Sequence, residues 1–172
     1  SDLVVTLEFE NVPAEAIQAV ERHVPVRPGE RALYVAQQRA REKGFLREHG
    51  FPTVPFAHAT TLEALHAALT EVGLPAVVKT AAFGYDGKGQ HKVTRASEAE
   101  AVWAAVGGQE VVVERYIRLQ AEISVICARG LDGQTVEYAP FENRHANHIL
   151  DVTTAPAVVP PEVAADRKST RL

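Results

Sequence analysis

The apolar positions of the chain fall into short blocks whose period switches between that of a strand and that of a helix. Residues 3–7 (LVVTL) form an apolar run of the kind a sheet buries. After the turn at Glu10-Asn11, Pro13-Ala14-Glu15 suits a helical first turn, since proline needs no amide partner there and a carboxylate meets the positive end of the helix dipole. Residues 29–49 read as one longer helical stretch, stopped at Gly50 and followed by Phe51-Pro52. Extended chain is predicted over 53–56. Thr60 or Thr61 then caps a helix to Val72, with Leu62, Leu65 and Leu69 on one face and Gly73 at its end.

Residues 76–80 (AVVKT) predict a compact strand and residues 90–94 its return, so the glycines between them form the bend of a long hairpin. Ser97-Glu98-Ala99-Glu100 has the form of a capping box, opening a helix through Val106 that stops at Gly107-Gly108. Residues 110–117, 121–128 and 134–138 read as strands, the last two joined by a turn at Leu131-Asp132-Gly133, which argues for an antiparallel sheet. The fold class expected is therefore α/β followed by α+β. The expected division puts the end of an α/β domain and a connecting helix at 1–50 and a mixed domain at 51–165. Residues 166–172 (DRKSTRL) lose apolar periodicity and are expected to be a frayed or non-native tail.

Composition narrows the function classes. With 18 Lys and Arg against 22 Asp and Glu, the net charge of −4 offers no footprint for nucleic acid or an acidic membrane. No run approaches the roughly 20 apolar residues that span a bilayer. Cys127 is the only cysteine, which excludes a disulfide framework and a thiolate metal cluster within these residues and fits a reducing, cytoplasmic setting for a soluble protein. There is no methionine, and the chain opens almost directly into an apolar run, so a preceding segment is expected.

The densest chemistry lies in Gly84-Tyr85-Asp86-Gly87-Lys88-Gly89-Gln90. Three glycines in six positions let the backbone come close to an anion and aim successive amides at it, while Lys88 adds a mobile positive charge. The segment is neither a P-loop nor a dinucleotide fingerprint, because GxxxxGK[ST] and GxGxxG are both absent. A surface hairpin bend accounts for the glycines equally well. Lys79, five residues before the loop at the end of an apolar strand, would bring a compact cation to the same phosphates; alone, it is also what a lysine snorkelling from a sheet edge looks like. The strand Val111-Val112-Val113-Glu114-Arg115-Tyr116-Ile117 runs from apolar into polar positions and could offer backbone groups to an adenine edge and a carboxylate to a ribose. Phe141-Glu142-Asn143-Arg144-His145-Ala146-Asn147-His148 packs hydrogen-bonding side chains densely enough to mark a site. Without a third His or Cys ligand nearby it does not read as a zinc centre.

Taken in order, these motifs resemble the 5-(carboxyamino)imidazole ribonucleotide synthase family of ATP-grasp enzymes. The resemblance runs over about residues 2–160. It rests on Thr6-Leu7-Glu8-Phe9-Glu10-Asn11-Val12, Arg39 with Lys43, Val78-Lys79 with the glycine loop, Glu122-Ile123-Ser124-Val125 with Ala128-Arg129, and Glu142-Asn143-Arg144-His145 before His148-Ile149-Leu150 and Ala155-Pro156. It implies an ATP-grasp fold, with the lid subdomain at about 57–117 and the start of a large sheet at 118–165. The implied reaction is the ATP-dependent carboxylation of 5-aminoimidazole ribonucleotide by bicarbonate, through carboxyphosphate, in purine biosynthesis. ATP and magnesium would serve it, in a cytoplasmic homodimer.

Residue by residue, the resemblance implies that Arg39 and Lys79 lie along the ATP phosphates and that Gly84, Tyr85, Asp86, Gly87, Lys88, Gly89 and Gln90 close over them. Glu114, Arg115, Tyr116 and Ile117 would hold adenine by backbone, Glu122 the ribose hydroxyls, and His145 would complete the pocket. Glu8, Tyr85, Asp86 and Lys88 would face the aminoimidazole ribonucleotide, with Tyr85, Asp86 and Lys88 as the catalytic candidates. Gln38, where the family usually has Asp, and the Arg115-Tyr116 pair depart from the pattern, and both positions are expected to serve by backbone or packing. The family's magnesium-binding carboxylates are expected beyond Leu172, in which case these residues alone form an inactive nucleotide-binding lobe. Another ATP-grasp ligase, such as a formate-using glycinamide ribonucleotide transformylase or a biotin carboxylase, shares the lid and the lysine but not Tyr85-Asp86 together with Glu142-Asn143-Arg144-His145.

Overall fold

The computed structural model describes residues 3–82, 89–146 and 149–165. It separates into two compact units, Ser1–Tyr116 and Ile117–Leu172.

The first unit opens with a small β-α-β step. β1 (Val5–Thr6) pairs in parallel with β2 (Val26–Arg27), and α1 (Ala14–Glu21) crosses between them. Ile17, Val26 and Leu33 close a small core, so this strand is held by few contacts. It is shorter than the five residues predicted, and Leu3 and Val4 stand more than half exposed. The helical stretch 29–49 proves to be two helices, α2 (Glu30–Ala36) and α3 (Arg39–Glu48). The break is made by two glutamines. Gln38 takes extended φ/ψ and its side-chain oxygen accepts from Arg41 N at 2.7 Å, capping α3, while Gln37 Nε2 donates to the carbonyls of Glu10 (2.6 Å) and Val12 (2.7 Å). Glutamine is a weak N-cap by preference, so periodicity alone reads straight through this position.

Next come β3 (Phe56–Ala59), α4 (Leu62–Val72), β4 (Ala76–Thr80), β5 (Gln90–Val93), α5 (Ala99–Ala105) and β6 (Val111–Arg115). The four strands form an antiparallel sheet in the order β3-β6-β4-β5, as the predicted hairpin requires. Strand alternation decides its two faces. Ala76 and Val78 of β4, with Val111 and Val113 of β6, turn into a core formed with Leu65, Leu69 and Val72 of α4 and Val102 of α5. Burying a side chain such as Leu65 contributes about 1.5–3 kcal/mol, so this face dominates the unit's stability. Val77, Lys79, Val112 and Glu114 point the other way, and α3 packs on β6 from that side.

Thr61 caps α4, its hydroxyl accepting from Ala64 N at 3.1 Å. The capping box expected at Ser97 is not formed. A 3-10 turn, Ala96–Glu98, precedes α5, Ser97 caps nothing, and Glu98 instead folds back to accept from Thr94 N, Thr94 Oγ1 and Arg95 Nε at 2.9–3.0 Å.

In the second unit, β7 (Glu122–Ser124), β10 (Phe141–Ala146) and β11 (Ile149–Thr154) form an antiparallel sheet in the order β11-β10-β7. β8 (Cys127–Arg129) and β9 (Thr135–Glu137) make a separate hairpin whose turn is closed by Gly130 N to Gln134 O and by Gln134 N to Asp132 Oδ1. The predicted strand 121–128 is thus interrupted after Ser124, and Cys127 is exposed.

The donors gathered by Glu98, the Thr94 amide foremost, hold its carboxyl down at about 2, from an ordinary 4.5. A depressed carboxylate contributes stability above its unfolded value and loses it as pH falls toward the folded one. Replacing Glu98 by Gln is therefore expected to lower the thermal midpoint at pH 7, with the gap to the unaltered chain closing between about pH 4.5 and 2. Thermal unfolding followed by circular dichroism across that range measures it, and a gap that does not depend on pH would sink the assignment.

Candidate functional site

The site grows from the face of the first sheet that α3 covers. Glu114 lies opposite Val77 across the β4–β6 ladder, which makes Lys79 its diagonal neighbour on the same face, within reach of a long side chain. Lys79 Nζ lies 2.9 Å from Glu114 Oε2, and Lys43 Nζ, descending from α3, lies 3.2 Å from Oε1. Glu114 and Lys43 are buried, whereas Lys79 is partly open. The carboxylate expected to meet a ribose is thus taken by two lysines.

Arg39, the first residue of α3, reaches the end of β4. Its amide donates to Ala81 O (2.8 Å) and its Nη1 to Thr80 O (2.9 Å), so Arg39 and Lys79 flank the point where the chain enters the glycine segment. The far side of that segment is fixed as well. Thr80 N donates to Gly89 O at 2.9 Å, and Gln90 pairs with Lys79 as β5 begins. Gly89 has φ +70°, and a Cβ there would come within 2.7 Å of Thr80 Oγ1, so only glycine fits. Gly84, Tyr85, Asp86, Gly87 and Lys88 lie outside the described residues.

The end of β6 carries a second feature. Arg115 N donates to Pro55 O and Tyr116 N to Pro75 O. In an antiparallel pair the opposed residues exchange both bonds, but here the reciprocal donors would be proline nitrogens, which carry no hydrogen. Among the described residues the carbonyls of Arg115 and Tyr116 therefore have no backbone donor, and the Ile117 amide has no backbone acceptor. The two carbonyls face opposite sides of the strand, one toward Pro55 and the other toward Pro75, so each is an unmet acceptor on its own side. Lys92 sits over the Tyr116 ring at 3.8 Å.

In the second unit, Glu122 pairs with Asn143 across the β7–β10 ladder, and His145, two residues on, shares its face. His145 Nδ1 lies 3.6 Å from Glu122 Oε2, and both are partly open to solvent. Asn143 is pinned, donating to Ser124 Oγ and accepting from Thr153 Oγ1, and the β10–β11 register shifts beside His145, with Asp151 the extra residue. His148 lies outside the described residues. Glu8 stands exposed after β1.

Two family models match this chain. Residues 44–170 fit that of the ATP-grasp domain, and residues 2–37 that of the ribonucleotide synthetase preATP-grasp domain. The chain belongs to the ATP-grasp family. It is 35% identical over 163 residues to the N5-carboxyaminoimidazole ribonucleotide synthase of Pseudomonas aeruginosa, covering 95% of this chain and 45% of that protein. Among solved structures it resembles the N5-carboxyaminoimidazole ribonucleotide synthetase of Thermus thermophilus, at 38% identity and a TM-score of 0.85 over 94% of this chain and 44% of that one. It also resembles the Staphylococcus aureus synthetase complexed with ADP, at 30% identity and a TM-score of 0.88 over 96% and 44%. The chain spans under half the length of these relatives.

Glu42 lies beside Lys43 on α3. Burial raises its carboxyl above the ordinary 4.5, against the pull of Lys43 and Arg39. A raised carboxyl acid opposes folding when ionised, fully so above its folded value and not at all below its unfolded one. Glu42→Gln is thus expected to raise the thermal midpoint at pH 7, the gain vanishing below the ordinary carboxylate range. A midpoint that drops at pH 7 would show that Glu42 is ionised to advantage.

Proposed function

We propose that this chain is the nucleotide-binding part of an ATP-dependent carbon–nitrogen ligase that carboxylates 5-aminoimidazole ribonucleotide with bicarbonate. The observation that carries the reading is the pair Lys79 and Arg39 flanking the entry to the glycine segment, with Lys79 drawn to a buried carboxylate. The relatives named above support the same reading. On it, residues 1–50 end an α/β domain, 57–117 form the lid subdomain, and 118–165 begin the large sheet.

The chemistry sets what each part must do. Bicarbonate is a poor electrophile. Attack of its oxygen on the γ-phosphorus of ATP displaces ADP and gives carboxyphosphate, which loses phosphate as its carboxyl group passes to the amine, whose proton leaves to a base. Lys79 and Arg39 offset the charge gathering on the phosphoryl group, and residues 84–90 close over it to exclude water while the labile anhydride lives. The strand-end groups of Arg115, Tyr116 and Ile117 receive adenine. Glu122 takes the ribose hydroxyls and His145 the remaining nucleotide contact. Glu8, Tyr85, Asp86 and Lys88 face the aminoimidazole ribonucleotide.

Magnesium is part of the proposal for the whole enzyme. Among the described residues no three His, Cys, Asp or Glu gather where they could hold a metal, so the chain's described side chains do not fit that task. No described helix is long and apolar enough to cross a membrane, and the cytoplasmic homodimer remains part of the proposal.

The test compares this chain with a polypeptide extended by its flanking sequence at both ends. The short chain should bind ATP. The extended one should release ADP in the presence of bicarbonate and 5-aminoimidazole ribonucleotide, with Lys79→Ala lowering kcat about 100-fold. ADP release that answers to biotin or glycinamide ribonucleotide instead would overturn the assignment.

A further inference from the structure

Lys79 and Glu114 alone would make a neutral pair, and a cation cancelled by a carboxylate 2.9 Å away has little attraction left for an incoming anion. The second lysine changes the balance. Lys43 takes Oε1 while Lys79 takes Oε2, so two cations share one anion and the trio carries an excess of one positive charge. A buried excess charge is costly unless a counter-charge reaches it.

The excess has one outlet. The side chains of Lys43 and Glu114 are 7% and 8% exposed, whereas that of Lys79 is 26% exposed. Lys43 is itself enclosed, with its Nζ 5.6 Å from the centre of the Phe56 ring, a contact that favours a cation without neutralising it. Glu42 acts on Lys43 only at longer range, with no ion pair between them among the described residues.

We infer that Lys43 is a positioning residue for the phosphate-binding lysine: by taking one oxygen of Glu114, it leaves Lys79 with an uncancelled charge for a polyphosphate chain. Lys43 touches no ligand in this arrangement and acts through Glu114. The inference rests on the nucleotide reading only for what carries the phosphates, since a nucleoside triphosphate and inorganic tripolyphosphate present the same anion.

The experiment measures the Kd of this chain for ATP and for inorganic tripolyphosphate by calorimetry at several salt concentrations, with circular dichroism to confirm that each variant folds. Lys43→Met should weaken both ligands about tenfold and flatten the dependence of log Kd on log salt, and Lys43→Arg should restore most of the loss. The decisive variant is Lys43→Met with Glu114→Gln. Removing the carboxylate that now cancels Lys79 should make it bind more tightly than Lys43→Met alone, where a purely structural role predicts a second loss. If Lys43→Met does not fold, the double variant is compared with Glu114→Gln and should bind about as well; a clear further loss overturns the inference. So does unchanged affinity in Lys43→Met, a double variant no tighter than the single, or an unaltered chain that binds neither anion. Tripolyphosphate binding that depends on Lys43, with ATP held no more tightly, would remove the nucleotide reading and leave the role of Lys43 standing.

Discussion

One carboxylate held between two lysines beneath a helix constrains how the first unit is assembled. Glu114 can reach Lys79 only if β4 and β6 keep their register, since a slip of one residue turns every side chain to the opposite face. It can reach Lys43 only if α3 lies on β6 at the right height. The glutamine pair at 37–38 meets that demand by ending α2, capping α3 and tying both to the segment after β1. Gln38 adds a contact to Glu110 at 2.6 Å, close to the strand that carries Glu114. The scale of the interaction explains its influence. Stripping one partner from a buried charge pair costs about 3–5 kcal/mol, far more than the loss of an exposed pair such as Arg95 with Glu98.

The parts that were legible in the sequence are those where local chemistry and tertiary packing agree. The hairpin of β4 and β5 is written in alternation and glycine, Thr61 is a strong cap, and the β8–β9 turn carries Asp132 and Gly133 at the positions a tight turn wants. Ser97 failed as a cap because Glu98 found three donors upstream and pulled the start of the helix into a tighter turn. The break between α2 and α3 was illegible because glutamine is a poor cap whose side chains here answer to partners 25 to 72 residues away. Long-range demand of that kind leaves no periodic trace.

The chemistry of the site followed the same division. Lys79 stood out by position and Arg39 through the family resemblance, and the structure brings both to the end of β4. Glu114 also stood out, but its pairing with Lys79 and Lys43 did not. A carboxylate on a strand two residues from the polar end reads as a ligand for something outside the protein, and only the fold reveals that α3 brings a second lysine over it. The pairing of Glu122 with His145 follows from strand alternation once their ladder is known. From sequence they are 23 positions apart, with a hairpin between them.

The prolines beside β6 have a consequence for how the sheet can grow. Carbonyls left unpaired at the end of an interior strand normally let the ladder run on with its neighbours. Pro55 and Pro75 each accept from β6 and return nothing, so the ladder ends at Arg115 and Tyr116 with acceptors that the neighbouring strands cannot satisfy. Any residue other than proline at either place would supply the missing N–H and let the sheet zip one step further. Two rings that forbid a hydrogen bond thus keep the neighbouring strands off those carbonyls.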